Sequence, residues 1–278
     1  MTAVGIVTGA ARGMGFECAR RITSMVDHLL VVDRDADGVQ AAAGALASGG
    51  PAMVTPFALD ITDHDGVAAL ADRAAEVGTL RAVAHVAGIS PTMADWRRIL
   101  EVDLVGTAAL VHTLRPLAAT GTAMVCFASM AAQLADLTPD PAVAEVLDDA
   151  LDERFLDRLR EAVGPAIEHP GVAYAWAKHG VQRLVRREAV RLGPAGARIC
   201  SVSPGIIDTP QGQQEAAHNP SMTTMLQASP LGRAGRPAAV VAVVAFVLSD
   251  EASYLNAVDL LVDGGICAGI ANTGIRHE

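Results

Sequence analysis

The sequence predicts an α/β fold: a doubly wound, seven-stranded parallel sheet with helices on both faces. Three observations carry that expectation. Seven short runs rich in β-branched and apolar residues recur along the 278-residue chain. Longer Ala-rich stretches of helical period separate them, the pattern of parallel strands joined by helical crossovers. The first crossover opens on a glycine turn, where this architecture places a ligand.

In chain order the predicted strands are 4–9 (VGIVTG), 29–33 (LLVVD), 53–60 (MVTPFALD), 81–88 (RAVAHVAG), 123–129 (AMVCFAS), 197–205 (ARICSVSPG) and 258–265 (VDLLVDGG). No linker or repeat interrupts the series, so one unit spanning 1–278 is expected. Hydrophobic residues make up 51% and aromatic residues only 3%, so its core is built from Ala, Val, Leu and Ile. One segment breaks the rhythm. Residues of about 131–170 are too many for a plain connection. Within them Val143, Leu147, Leu151, Phe155 and Leu159 recur every four residues, opposite Asp148, Asp149, Asp152, Glu153 and Asp157. They predict an amphipathic helix ending at Gly164-Pro165. Its apolar stripe must cover the parent domain, a second subunit or a ligand; its acidic side is read as solvated.

The net charge of −10 argues against a nucleic-acid partner. The four cysteines are scattered without metal-ligand spacing, so no metal is expected and small buried hydrophobes are. The N-terminus has no basic region of a signal peptide, and the longest apolar run, 238–248, is too short to span a bilayer. A cytoplasmic protein without membrane association is expected.

The turn TGAARGMG, Thr8 to Gly15, follows the first strand and opens a helix. Gly9, Gly13 and Gly15 let backbone N–H groups approach a pyrophosphate at the helix N-terminus, with Arg12 and Met14 between them. This is a Rossmann-like arrangement. Asp33 closes the second strand, where a carboxylate accepts both ribose hydroxyls of an adenosine and repels a 2′-phosphate. NAD is expected rather than NADP. Arg12 and Arg34 point the other way if either meets a 2′-phosphate; surface charge or contact with the pyrophosphate is the alternative.

The segment YAWAK carries the chemistry. Lys178 is the only lysine in the chain, and Tyr174 is one of two tyrosines. At i and i+4 they share a helix face. A phenol is a poor base at neutral pH, and a nearby ammonium lowers its pKa. Lysine is a compact charge with rotatable donors that also hold ribose hydroxyls, which a planar guanidinium does not reproduce.

With these residues in view, the chain resembles the short-chain dehydrogenases/reductases over nearly its whole length. The likeness rests on TGAARGMG, Asp33, Asp60, Ala87-Gly88, Ser129, YAWAK, SPGIIDTP (203–210) and VDGG (262–265), all in family order. It implies Tyr174 as general acid/base, Lys178 as holder of the nicotinamide ribose, and Ser129 as hydrogen-bond donor to the substrate oxygen. It also implies Asp60 and Ile61 beside the adenine, and Pro204, Gly205, Ile207 and Thr209 beside the nicotinamide. Such enzymes move a hydride between NAD(P) and a secondary alcohol or ketone, commonly as homodimers or homotetramers.

Three departures stand out. HVAG (85–88) replaces the family's frequent NNAG, and His85 is read as a satisfied core histidine. Asp103 stands where the family has an asparagine in a proton relay; it brings a charge and loses donors unless protonated. The long segment before Tyr174 is similar to the helical insertion of bacterial 3α-hydroxysteroid dehydrogenase/carbonyl reductases, which implies a steroid or other bulky apolar substrate. The loop of about 210–232 falls at the family's substrate lid, with Met222, Met225 and Leu226 as an adaptable cover or as plain packing. No Lys/Arg cluster marks a phosphopantetheine site, which argues against a fatty-acid ketoreductase. A dinucleotide-sensing regulator, an NADP-dependent carbonyl or 3-oxoacyl reductase and a sugar-nucleotide epimerase are the competing expectations.

Overall fold

A computed structural model describes residues 1–135, 137–219 and 221–273. Seven strands form one parallel sheet: β1 Ala3–Thr8, β2 His28–Asp33, β3 Met53–Ala58, β4 Thr79–His85, β5 Ala123–Phe127, β6 Arg198–Pro204 and β7 Asp259–Val262. Their order is β3-β2-β1-β4-β5-β6-β7, so the sheet winds outward from β1 in both directions. Register aligns the carboxyl ends: Thr8 pairs with Val32 and His85, and Pro204 with Val262. A crevice at such a switch point is where open α/β sheets bind ligands.

Alternate side chains of each strand feed two cores. Val4, Ile6, Leu30 and Val32 face one, and Val7, Leu29 and Val31 face the other. Against the second pack α1 (Gly13–Ile22), α2 (Ala36–Ala47) and the uniformly apolar helix 237–248. Against the first pack α3 (His64–Val77), α4 (Trp96–Leu100), α5 (Gly106–Leu114) and the long helix 170–192. Side-chain caps start several of these: Asp35 accepts from Gly38 N–H for α2, and Asp63 from Gly66 N–H for α3. Among the described residues no helix is long and apolar enough to cross a membrane, and no cluster could hold a metal ion. Cys18, Cys126 and Cys200 are buried free thiols, whereas Cys267 is half-buried.

Strand β4 stops at His85 although its apolar run continues to Gly88. The Thr8 hydroxyl accepts the N–H groups of Val86 and Ala87, 3.1 Å each, and peels the chain from the ladder. Ser129 likewise lies beyond the end of β5.

The segment before Tyr174 is helical, but the single amphipathic helix expected there is two. After α6 (Ala131–Leu134) come α7 (Pro141–Asp148) and α8 (Phe155–Val163), with α9 (Pro170–Leu192) following. The chain turns between α7 and α8, and Leu151 is 41% exposed. Val143, Leu147, Phe155 and Leu159 are buried in the first core. Arg183 of α9 holds Asp148 through two hydrogen bonds of 2.9 Å, and Arg97 reaches Asp157 at 3.2 Å. The parent fold is what the stripe covers. The segment after Thr209, expected as a loop, carries α10 (Pro210–His218) and α11 (Ser221–Ala228). Pro210 is the first residue of α10, and the Thr209 hydroxyl caps it by accepting from Gly212 N–H at 3.0 Å. The last helices are α12 (Pro237–Leu248) and α13 (Ile266–Thr273). Met222 is buried beside Ile206, Ile266 and Ile270, with Met225 and Leu226 packed on them.

Candidate active site

A cavity of about 770 Å³ runs along the carboxyl ends of the strands. Its walls hold Gly9, Arg12, Gly13, Met14, Asp33 and Arg34 of the first two turns. Beyond them stand Asp60, Ile61, Ala87 and Gly88, then Ser129, Tyr174 and Lys178. Pro204, Gly205, Ile207 and Thr209 close the far side. Two residues expected at the site are not on the wall. Gly15 lies behind it, where a Cβ would come within 1.9 Å of Gly9 O. Its lack of a side chain seats α1 against the turn, so it shapes the crevice without reaching a ligand. Asp103 is fully buried behind Lys178.

The glycine turn fits an anion. Gly13 has a φ of 58°, the left-handed region. No side chain caps the start of α1, so its first N–H groups face the crevice without a capping acceptor. Asp33 accepts from Ala11 N–H and Asp35 N–H, both 3.1 Å, one on each carboxylate oxygen, which leaves acceptor capacity on both. Arg12 leans on Asp35 at 3.4 Å. Asp60 is held by the N–H and hydroxyl of Thr62, 3.0 and 2.8 Å, and by Arg98 at 2.6 Å. Burial works to raise its pKa and is outweighed by Thr62 and Arg98, which bring it below the usual value. Cavity walls and donors therefore fit a dinucleotide.

α9 presents Tyr174 and Lys178 one turn apart, with the ammonium 5.5 Å from the centre of the phenol ring. Ser129 stands beside the phenol on the cavity wall and works to lower its pKa. Lys178 Nζ donates to Phe127 O at 3.2 Å and lies 3.6 Å from Asp103 Oδ2. Asp103 Oδ1 accepts from Ile89 N–H at 2.9 Å, while Oδ2 has no hydrogen-bond partner. Burial raises the Asp103 pKa against the opposing pull of Lys178 and the Ile89 amide. Asp103 is the middle residue of a π-helical turn, Glu101–Val105.

One electrostatic expectation is corrected. In the protein alone the phenol of Tyr174 is raised above its ordinary pKa, not lowered. Burial is the largest cause; the carboxylates of Asp103 and Glu215 add to it, and Ser129 opposes it. Lys178 has Asp103 as a counter-charge 3.6 Å away, a neighbour the family pattern would make neutral.

His85 is fully satisfied. Thr107 Oγ1 donates to Asp103 O at 2.8 Å, so it accepts from His85 Nε2 at 2.9 Å. Thr8 Oγ1 then donates to His85 Nδ1 at 2.7 Å. This order requires a neutral ring, and burial, aided by Lys178, brings its pKa down to about 3.

Sequence reasoning missed Arg98, Gln211, Gln214 and Glu215, all on the cavity wall. Nothing marked Arg98. The spacing of Gln211, Gln214 and Glu215 is helical, but a segment expected as a loop gave no reason to look for a face.

Comparison with known proteins agrees with this geometry. A family model described as enoyl-(acyl carrier protein) reductase matches residues 9–146 and 162–267. The chain belongs to the short-chain dehydrogenase/reductase family, whose oxidoreductases use NAD(P). It is similar to the cis-4-hydroxycyclohexanecarboxylate dehydrogenase of Sinomonas cyclohexanicum, 34% identical over 95% of this chain and 96% of that one. D-threitol dehydrogenase of Mycolicibacterium smegmatis is 30% identical over 94% and 92% of the two chains. A crystal structure of levodione reductase superposes with a TM-score of 0.75 at 26% identity, covering 96% of this chain and 98% of that one.

Proposed function

We propose that the protein oxidises a small cyclic or polyhydroxylated secondary alcohol to its ketone, reversibly, with NAD. The observation that carries this is Ser129, Tyr174 and Lys178 meeting on the wall of one cavity, beside the uncapped start of α1. The first N–H groups of α1 would hold the pyrophosphate and Asp33 the adenosine ribose. Arg12, engaged by Asp35, favours NAD over its phosphorylated form. When bound, the oxidised nicotinamide supplies a positive charge and the acceptor for the hydrogen and two electrons of the substrate's C–H bond.

The protein's own residues do the rest. Ser129 Oγ orients the substrate oxygen and stabilises its developing charge. Tyr174 Oη, ionised once the positive nicotinamide is bound, would take the hydroxyl proton as the phenolate during oxidation, and the phenol would return it during reduction. Lys178, with donors left after its bond to Phe127 O, would hold the nicotinamide ribose. Asp103 acts through Lys178 as its counter-charge, a positioning role. The segment 210–232 forms a lid over the substrate end, with Met222 and Met225 on its inner side.

A steroid is not favoured. Of the 131–170 segment that prompted it, only the short α6 and Ala135 reach the cavity wall; α7 and α8 pack into the first core and contribute nothing to that wall. The relatives' names include a hydroxycyclohexane acid and a four-carbon polyol. Both are compact, and Ile89, Leu134, Met222 and Met225 offer an apolar surface for a ring or short chain. The sensor alternative gives no reason for a serine on the phenol. A panel of cyclic alcohols and polyols with NAD and NADP, followed by reduced-nicotinamide absorbance, tests the reading. Oxidation with NAD supports it; tight NAD binding without turnover of any alcohol would favour a sensor.

A further inference from the structure

We propose that Glu215 makes the cavity selective by charge, admitting a neutral secondary alcohol that carries a second hydroxyl group and turning away hydroxy acids. The proposal rests on the dehydrogenase reading above and names the substrate class of that same site. Gln211, Gln214 and Glu215 lie three and four residues apart on α10 and all reach the cavity wall. They form the face that the lid turns to the substrate.

The Glu215 carboxylate has no hydrogen-bond or ion-pair partner among the described residues. It is half-buried, and burial raises its pKa. It is close enough to Tyr174 to act on the phenol's charge. Local structure gives no reason for it either. It stands in the last turn of α10, where the carbonyl ends of the helix disfavour an acid.

The cations on the cavity wall already have acids beside them. Arg12 is engaged by Asp35, Arg98 by Asp60 and Lys178 by Asp103, and Arg34 follows Asp33 at the end of β2. The wall around Leu134, Met222 and Met225 has Glu215 as its carboxylate, and Lys178, the cation beside Tyr174, is already paired with Asp103. A substrate carboxylate there would meet Glu215 with only Lys178, already balanced by Asp103, to offset the repulsion, in a half-buried site where charges are poorly screened. A second hydroxyl instead donates a charge-assisted hydrogen bond to the same oxygen atoms. The chemistry would be unchanged: a bound oxidised nicotinamide would accept the carbinol hydrogen with its two electrons. The hydroxyl proton goes to Tyr174 Oη, and a hydroxyketone remains.

The test uses the wild-type protein and Glu215→Gln, both with NAD, against cyclohexanol, 1,2-cyclohexanediol and 3-hydroxycyclohexanecarboxylate. The wild type should favour the diol over the hydroxy acid in kcat/KM by about 10-fold or more, and Glu215→Gln should narrow that ratio by about 10-fold through a gain on the acid. Calorimetry gives a readout apart from turnover: cyclohexanecarboxylate should bind the NADH-loaded variant more tightly than the NADH-loaded wild type. A wild type that prefers the hydroxy acid, or a variant that leaves the ratio unmoved, overturns the proposal while cyclohexanol oxidation upholds the dehydrogenase. Failure of the wild type on all three alcohols overturns the dehydrogenase reading and this proposal with it.

Discussion

Asp103 and Lys178 form a buried ion pair where the family pattern offers a neutral amide, and the phenol of Tyr174 registers the difference. With Asp103 ionised, the field of Lys178 is offset and the phenol stays high. Asp103→Asn removes that negative charge, so the phenol ionises more readily. The pH profile of kcat/KM for oxidation should move to lower pH by about one unit; an unmoved or upward-shifted profile would deny the counter-charge role. His85 shows a second effect of burial. Its folded-state pKa of about 3 lies below the ordinary 6.5, so the unfolded chain takes up the proton first. Its contribution to stability is complete above pH 6.5 and is lost as pH falls towards 3, by about 1.4 kcal/mol per unit. Urea denaturation of the wild type and His85→Asn between these limits should show the wild type losing stability faster on acidification. Parallel curves would contradict the neutral ring. The motif residues were legible because each pairs a chemical demand with a fixed spacing. The Asp103–Lys178 contact was not, since nothing in the spacing of those two residues tells that a carboxylate oxygen sits 3.6 Å from the ammonium.

At the scale of elements, strands and crossovers could be read because continuous apolar runs report burial on both faces. The insertion was read as one helix because a four-residue spacing looks helical. Five positions at that spacing drift by roughly 40° per step on a 3.6-residue helix, too far to hold one face. The chain resolves this by turning between α7 and α8, which exposes Leu151 and buries Phe155. Phe155→Ala should therefore cost about 3–5 kcal/mol in chemical denaturation by opening a hole in the core. Because α7 and α8 supply no cavity wall, KM for the substrate should be unchanged where the variant is folded. A substrate-specific rise in KM would put α7 and α8 at the binding site. The face of α10 was missed for a related reason. Its cap, Thr209, was assigned to the cofactor and not to the start of a helix.

The whole molecule sets one strong asymmetry. Winding outward from β1 brings distant parts of the chain to one crevice, among them the turn after β1, the end of β2 and the start of α9. The cofactor end gathers the arginines, and the substrate end holds Glu215. Asp33 governs the first of these. Asp33→Ser should cut the proposed preference for NAD over NADP by about 10-fold or more, judged by kcat/KM with each; a wild type already favouring NADP would contradict the role given to this carboxylate. The central claim is that Tyr174 Oη is the proton acceptor in alcohol oxidation. It is tested most directly by comparing NAD-loaded wild type and Tyr174→Phe on a cyclic diol while NADH affinity is measured by fluorescence. The variant should bind NADH as the wild type does and lose about 1,000-fold in turnover. Turnover that survives the loss of the hydroxyl would contradict it.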